Sequence, residues 1–181
     1  DWAGYTYAWN AAGTEATLVR GGATRTIGAV SWVFPSEAQC LQCHTTAAGR
    51  TLGLETAQLN RALTYPQTGR TANQLATLSA VGVFATPLAA PSALPALPTY
   101  AGTDSLEARA RSYLHSNCAN CHRPGSTGRG NSDLRFTTPF AMANLCDATP
   151  DSTLGVMNAR VVAPGAPDRS VLALRMMDPG A

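Results

Sequence analysis

Cys40-Leu41-Gln42-Cys43-His44 and Cys118-Ala119-Asn120-Cys121-His122 decide how this chain reads. Each is a Cys-x-x-Cys-His run, the pattern of covalent c-type haem attachment. The two cysteines of such a run add to the two vinyl groups of one haem. The histidine that follows falls where its imidazole binds the iron from the proximal side. With five Cys and three His in 181 residues, one accidental match is expected about two times in a thousand. Two matches use four of the five cysteines and two of the three histidines. The sequence therefore predicts two c-type haems, held by Cys40, Cys43, Cys118 and Cys121 and ligated by His44 and His122. Cys-x-x-Cys pairs also build zinc sites and redox-active disulfides, although neither needs a histidine directly after each pair.

The rest of the composition narrows the classes. An apolar content of 45% is ordinary for a globular protein, and the formal net charge is only +2. A nucleic-acid binder would normally carry a clustered basic face, so none is expected here. All thirteen basic residues are arginine, which removes lysine from the candidate iron ligands. No apolar run approaches the length of a membrane span. Without an initiator Met or a basic-then-apolar leader, Asp1 reads as a processed or truncated start. Covalent haem attachment in bacteria takes place outside the cytoplasmic membrane, so a periplasmic or extracellular location is expected.

Working outward from the first motif, residues 1–35 read as β. Tyr5, Tyr7 and Trp9 alternate with Thr6, Ala8 and Asn10, a period of two. Residues 16–20 and 23–27 flank Gly21-Gly22 as a hairpin, and Ser31-Trp32-Val33-Phe34 runs into Pro35, which stops the strand. Ser36 with Gln39 fits a capping box, which sets the first motif on a short helix. Residues 54–63 and 73–80 are further helix candidates. In residues 86–98, Pro87, Pro91, Pro95 and Pro98 recur, so neither helix nor central strand persists; this segment reads as a surface linker. Beyond it, Asp104 as cap, Glu107 in the first turn and an apolar face of Leu106, Ala110, Tyr113 and Leu114 predict a helix running into Cys118. A last helix begins near Asp168 and carries Val171, Leu172, Leu174 and Met176 before Pro179-Gly180.

The chain resembles a group of bacterial dihaem cytochromes c. The matching residues are Trp32-Val33-Phe34-Pro35-Ser36, Leu52-Gly53-Leu54 and Gln58-Leu59-Asn60-Arg61 in the first half. In the second they are Arg111-Ser112-Tyr113-Leu114, Asn117-Cys118-Ala119, Cys121-His122-Arg123-Pro124-Gly125, Val162-Ala163-Pro164-Gly165, Pro167 and Ser170-Val171-Leu172. The likeness implies electron transfer outside the cytoplasm, often beside a dehydrogenase or another redox partner. It implies a mainly α fold: two cytochrome c-like helical haem domains with a small N-terminal β-hairpin element. The boundaries expected are 1–35 for the β element, 36–98 for the first haem domain ending in the linker 86–98, and 99–181 for the second. Related domains continue into an Arg-Met-Pro-Pro segment whose Met is a distal ligand, whereas this chain reads Asp178-Pro179-Gly180-Ala181.

Either the sequence stops short of that segment or the second haem is ligated differently, so its sixth ligand is left to other candidates. No Met or His lies between His44 and His115. Met176 and Met177 rank first for the second haem, Met142 and Met157 for the first, and His115 is a polar helix-end residue or a ligand reaching a neighbouring haem. Cys146 reads as a buried thiol or as a disulfide partner. Trp32, Phe34, Tyr113, Phe136 and Phe140 are candidates to wall the haems. Arg50, Arg61, Arg123 and Arg135 are candidates to pair with propionates or are solvated surface charges. The leading functional expectation is a soluble dihaem electron carrier between redox proteins, able to self-associate into a multihaem chain. Its rivals are a dihaem peroxidase with one open haem and the haem domain of a larger dehydrogenase. Glu55, the nearest carboxylate after the first motif, is not close enough in sequence to mark an obvious peroxidase acid-base group.

Overall fold

A computed structural model describes residues 2–177; Asp1 and the terminal run Asp178-Pro179-Gly180-Ala181 lie outside the described residues. Contacts group the chain into two units. One comprises Asp1–Leu52 with Cys118–Ala181, the other Gly53–Asn117. The sequence reading draws its boundaries after residues 35 and 98 instead. Both Cys-x-x-Cys-His motifs belong to the first unit.

In the first unit, β1 (Thr6–Trp9) pairs antiparallel with β2 (Ala16–Val19), and β3 (Ala23–Ile27) with β4 (Val30–Phe34). Gly21 and Gly22 therefore join two hairpins and do not form the turn of one. Both adopt positive φ, 70° and 81°, which glycine alone tolerates without cost. The inward face of the first hairpin is Ala8 with Val19, while Tyr5, Tyr7 and Trp9 are exposed. Helix α1 (Glu37–Cys43) follows at once. Ser36 accepts from the Gln39 amide, and the Gln39 side chain accepts from the Ser36 amide, completing the expected box.

The second unit holds α2 (Thr56–Leu59), a hairpin of β5 (Ala62–Tyr65) and β6 (Arg70–Asn73), α3 (Gln74–Ala80) and α4 (Leu106–Asn117). The helix expected over 54–63 is cut to one turn. Strand β5 takes its end, with Thr64 and Thr71 hydroxyls 2.7 Å apart across the pair. Asn73 caps α3 through its side-chain oxygen. The cap of α4 is Ser105 and not Asp104: its hydroxyl accepts from the Ala108 amide at 3.2 Å. The inward face of α4 also differs from the apolar stripe in the sequence. Leu106 and Tyr113 are exposed, while Ser112 and Leu114 are buried, because Ser112 donates to the Pro98 carbonyl at 2.6 Å and so turns that side inward.

The Pro-rich segment is tied down within this unit. The Asn60 amide donates to the carbonyls of Pro91 and Leu94 at 2.8 and 3.0 Å, and the Leu97 amide donates to Ala57 at 2.8 Å. In the first unit, α5 (Val171–Met177) follows a 3-10 turn at Pro167–Arg169. The buried Ser170 hydroxyl accepts from the Ala163 amide at 2.9 Å and donates to the Ala166 carbonyl at 2.9 Å. That bond pair ties the Ala163–Ala166 turn to the start of α5.

The mainly α expectation is corrected. Helix accounts for 26% and strand for 17%, with three small antiparallel sheets, so the fold is mixed α/β. Gly, Pro, Ser and Thr break the chain too often for long helices, and among the described residues only α4 reaches twelve residues. The buried apolar residues are mostly small, and no large side chain is fully buried among the described residues.

Candidate functional site

Cys40 and Cys43 stand on α1, and His44 is its C-cap, so the first motif is presented by the last turn of a capped helix. His44 Nδ1 lies 2.6 Å from the Arg50 carbonyl oxygen. A carbonyl oxygen only accepts, so Nδ1 carries a proton and Nε2 is the nitrogen left to face a ligand. Metal-bound histidines are oriented in this way by a carbonyl behind the ring. Arg50 secures the arrangement twice over. Its φ of 66° turns the carbonyl towards the ring, and its Nη1 donates to the His44 carbonyl at 3.1 Å. Trp2 stacks on the imidazole with centroids 4.5 Å apart. Gly4 passes so close to Cys40 that a Cβ there would meet the cysteine Cβ at 2.5 Å.

The second motif is a tight turn. The Cys121 and His122 amides donate to the Cys118 carbonyl at 3.1 and 2.9 Å. The His122 carbonyl accepts from the Leu134 amide at 3.0 Å, and the Asp133 amide donates to Ala143 at 3.0 Å. Burial, and then the charge of Arg175, hold the His122 imidazole below its ordinary pKa. That shift favours the neutral imidazole, the form that ligates a metal. Burial raises the Cys118 thiol. Cys121 is pushed up to about 11, by burial first and then by Cys43.

The two motifs are folded against each other. Cys43 Sγ and Cys121 Sγ are 3.4 Å apart. The loop after the second motif grips the segment around the first. Thr127 donates to the Gln42 carbonyl, the Thr45 and Ser126 hydroxyls are 3.2 Å apart, and Arg123 Nη1 donates to Ala47 at 3.3 Å. Gly128 lies over Cys121 and His122, where a Cβ would fall 2.5 Å from the Cys121 carbonyl oxygen and 3.0 Å from His122 Nδ1. Two pairs of thiols, each with an oriented or neutral imidazole, match what two covalently attached haems ask of a chain.

The distal candidates are scattered. Met142, Met157, Met176 and Met177 are all exposed, Met157 to 82%. His115 is in the second unit, where its Nε2 meets Glu55 Oε2 at 2.7 Å. Of the four arginines, Arg50 and Arg123 serve backbone carbonyls, and Arg135 pairs with Asp133 at 2.5 Å. Arg61 lines a cavity of about 290 Å³ in the second unit together with Gln58, Tyr100 and Tyr113. Trp32, Tyr113 and Phe140 are exposed, while Phe34 carries the Arg25 guanidinium 5.3 Å from its ring centroid. Cys146 is exposed, not buried, because the buried Leu145 beside it takes the inward position.

Sequence reasoning missed Trp2, Gly4, Ser126, Thr127 and Gly128. Only the glycine-rich run at 125–130 carried a signal. Glycine lets one backbone lie against another, as Gly128 does over Cys121. Among the described residues no helix is long and apolar enough to cross a membrane, and no three His, Cys, Asp or Glu side chains are grouped to hold a metal ion directly. No protein-family model, no curated protein and no solved structure matches this chain.

Proposed function

We propose that this chain is a dihaem c-type cytochrome that carries electrons between redox proteins outside the cytoplasmic membrane. The observation that carries the proposal is the apposition of the two Cys-x-x-Cys-His motifs, with His44 fixed by the Arg50 carbonyl so that Nε2 is available. Cys40 with Cys43, and Cys118 with Cys121, would form the thioethers; His44 and His122 would be the proximal ligands. Bound there, the haems supply reversible one-electron iron chemistry. The chain's own work is to hold, orient and partly shield them. Trp2 covers one face of the His44 ring, and the small-residue core lacks the bulk that two large apolar groups would add. A zinc site would instead need four protein ligands converging on one point.

The partner expected is a dehydrogenase or another cytochrome, and the compartment follows from where haem is attached. The test is a visible spectrum of the native protein with a haemochrome count, followed by carbon monoxide addition. Two haems per chain and no rapid carbon monoxide binding are expected. A colourless protein would overturn the haem reading, and rapid stoichiometric binding would overturn the carrier reading in favour of an open, peroxidase-like haem.

A further inference from the structure

We propose, resting on the reading that both motifs carry haem, that the two groups form one electronically coupled pair joined at Cys43 and Cys121, and that loop 123–128 sets the coupling. Each thioether sulfur is two covalent bonds from the edge of its porphyrin ring. Sulfurs 3.4 Å apart are in van der Waals contact, so haems attached through Cys43 and Cys121 would meet at the second cysteine of each motif. Groups held there would exchange an electron with no bond made or broken and no proton moved.

The contact is built in. Residues 42–47 are held to 123–127 by the Thr127 bond to Gln42, the Thr45–Ser126 hydroxyl pair and the Arg123 bond to Ala47. The Ser126 hydroxyl also lies 3.0 Å from the Asn120 carbonyl, so the loop is anchored to the second motif as well as the first. At its end the Gly128 amide donates to Cys121 at 3.0 Å, and the missing Cβ lets the loop lie against the motif. None of these groups serves a strand or a long helix; their shared consequence is the relative position of two sulfurs.

The experiment is circular dichroism of the native holoprotein across the main haem absorption band, with a haemochrome count on the same sample. A coupled pair gives a two-signed couplet, which is the result expected. Ser126→Ala with Thr127→Val removes the hydroxyl contacts yet leaves all four cysteines, and we expect loss of the couplet with the haem count still at two. Two haems with a single-signed band in the native protein would overturn the inference while leaving the proposed function intact. An unchanged couplet in the variant would overturn the role of the loop. A haem count below two in the native protein would overturn both readings. Should the double variant not fold, Ser126→Ala alone carries the same comparison.

Discussion

Replacing Asp133 by Asn should loosen the second motif in a way that depends on pH. The carboxylate is buried and accepts from Arg135 Nε at 2.9 Å, from Arg135 Nη2 at 2.5 Å and from the Thr138 hydroxyl at 2.8 Å. Those bonds, led by Arg135, lower its pKa from 3.8 to about 2, against the opposing effect of burial. Such a shift is worth about 2 kcal/mol of folding stability at neutral pH. A lowered carboxyl pKa stabilises above the unfolded value, and the benefit fades as pH falls through the folded one. Nearly all of it should remain at pH 6, roughly half at pH 3, and little below pH 2. Asp133 also neighbours Leu134, whose amide holds the His122 carbonyl, so the loss should reach His122, the proposed haem ligand. Urea unfolding of the holoprotein, followed by far-ultraviolet circular dichroism, would read it. Asp133→Asn should lower the midpoint at pH 7 and converge on the parent at pH 2. An equal deficit at both pH values, or none at pH 7, would refute the reasoning.

Ser36→Ala removes the capping box ahead of the first motif and should cost about 1 kcal/mol in the same unfolding assay. Asn60→Ala strips the bonds to Pro91 and Leu94; the expected cost is about 2 kcal/mol, with new proteolytic cleavage in 86–98 as the readout. Gly128→Val places a Cβ 2.5 Å from a backbone oxygen that has little room to move. We predict overpacking of about 1–3 kcal/mol and a lower haem count at the second motif alone, read by mass spectrometry of the tryptic peptides. At Arg50, glycine accepts the φ of 66° and keeps the carbonyl on His44, whereas valine does not. Arg50→Val should therefore shift the haem spectrum and reduction potential of the first site more than Arg50→Gly does.

How much of this was legible in the sequence depends on the range of the interaction involved. The capping box at Ser36 and the helix after Asn73 are local, with the cap inside one window, and they formed as read; the helix ending at Asn117 formed too, but with Ser105 and not Asp104 as its cap. Gly21-Gly22 was misread because a hairpin turn and a joint between hairpins ask the same positive φ of glycine. The tertiary partners that distinguish them lie outside that window. Tyr5, Tyr7 and Trp9 showed the right period, but periodicity does not say which face is buried, and the small residue Ala8 took the inside. On α4 the apolar stripe lost to Ser112, whose bond to Pro98 is a contact no helical pattern encodes. The two Cys-x-x-Cys-His runs are read directly from the sequence. Their apposition is not, since it depends on hydroxyls at Ser126 and Thr127 that look like ordinary loop residues.

Intact mass of the native protein, with alkylation of its free thiols before digestion, is the most direct measurement. Two covalent haem additions are predicted, with Cys40, Cys43, Cys118 and Cys121 protected and Cys146 alone alkylated. A mass equal to the bare polypeptide, with all five cysteines alkylated, would contradict the haem assignment.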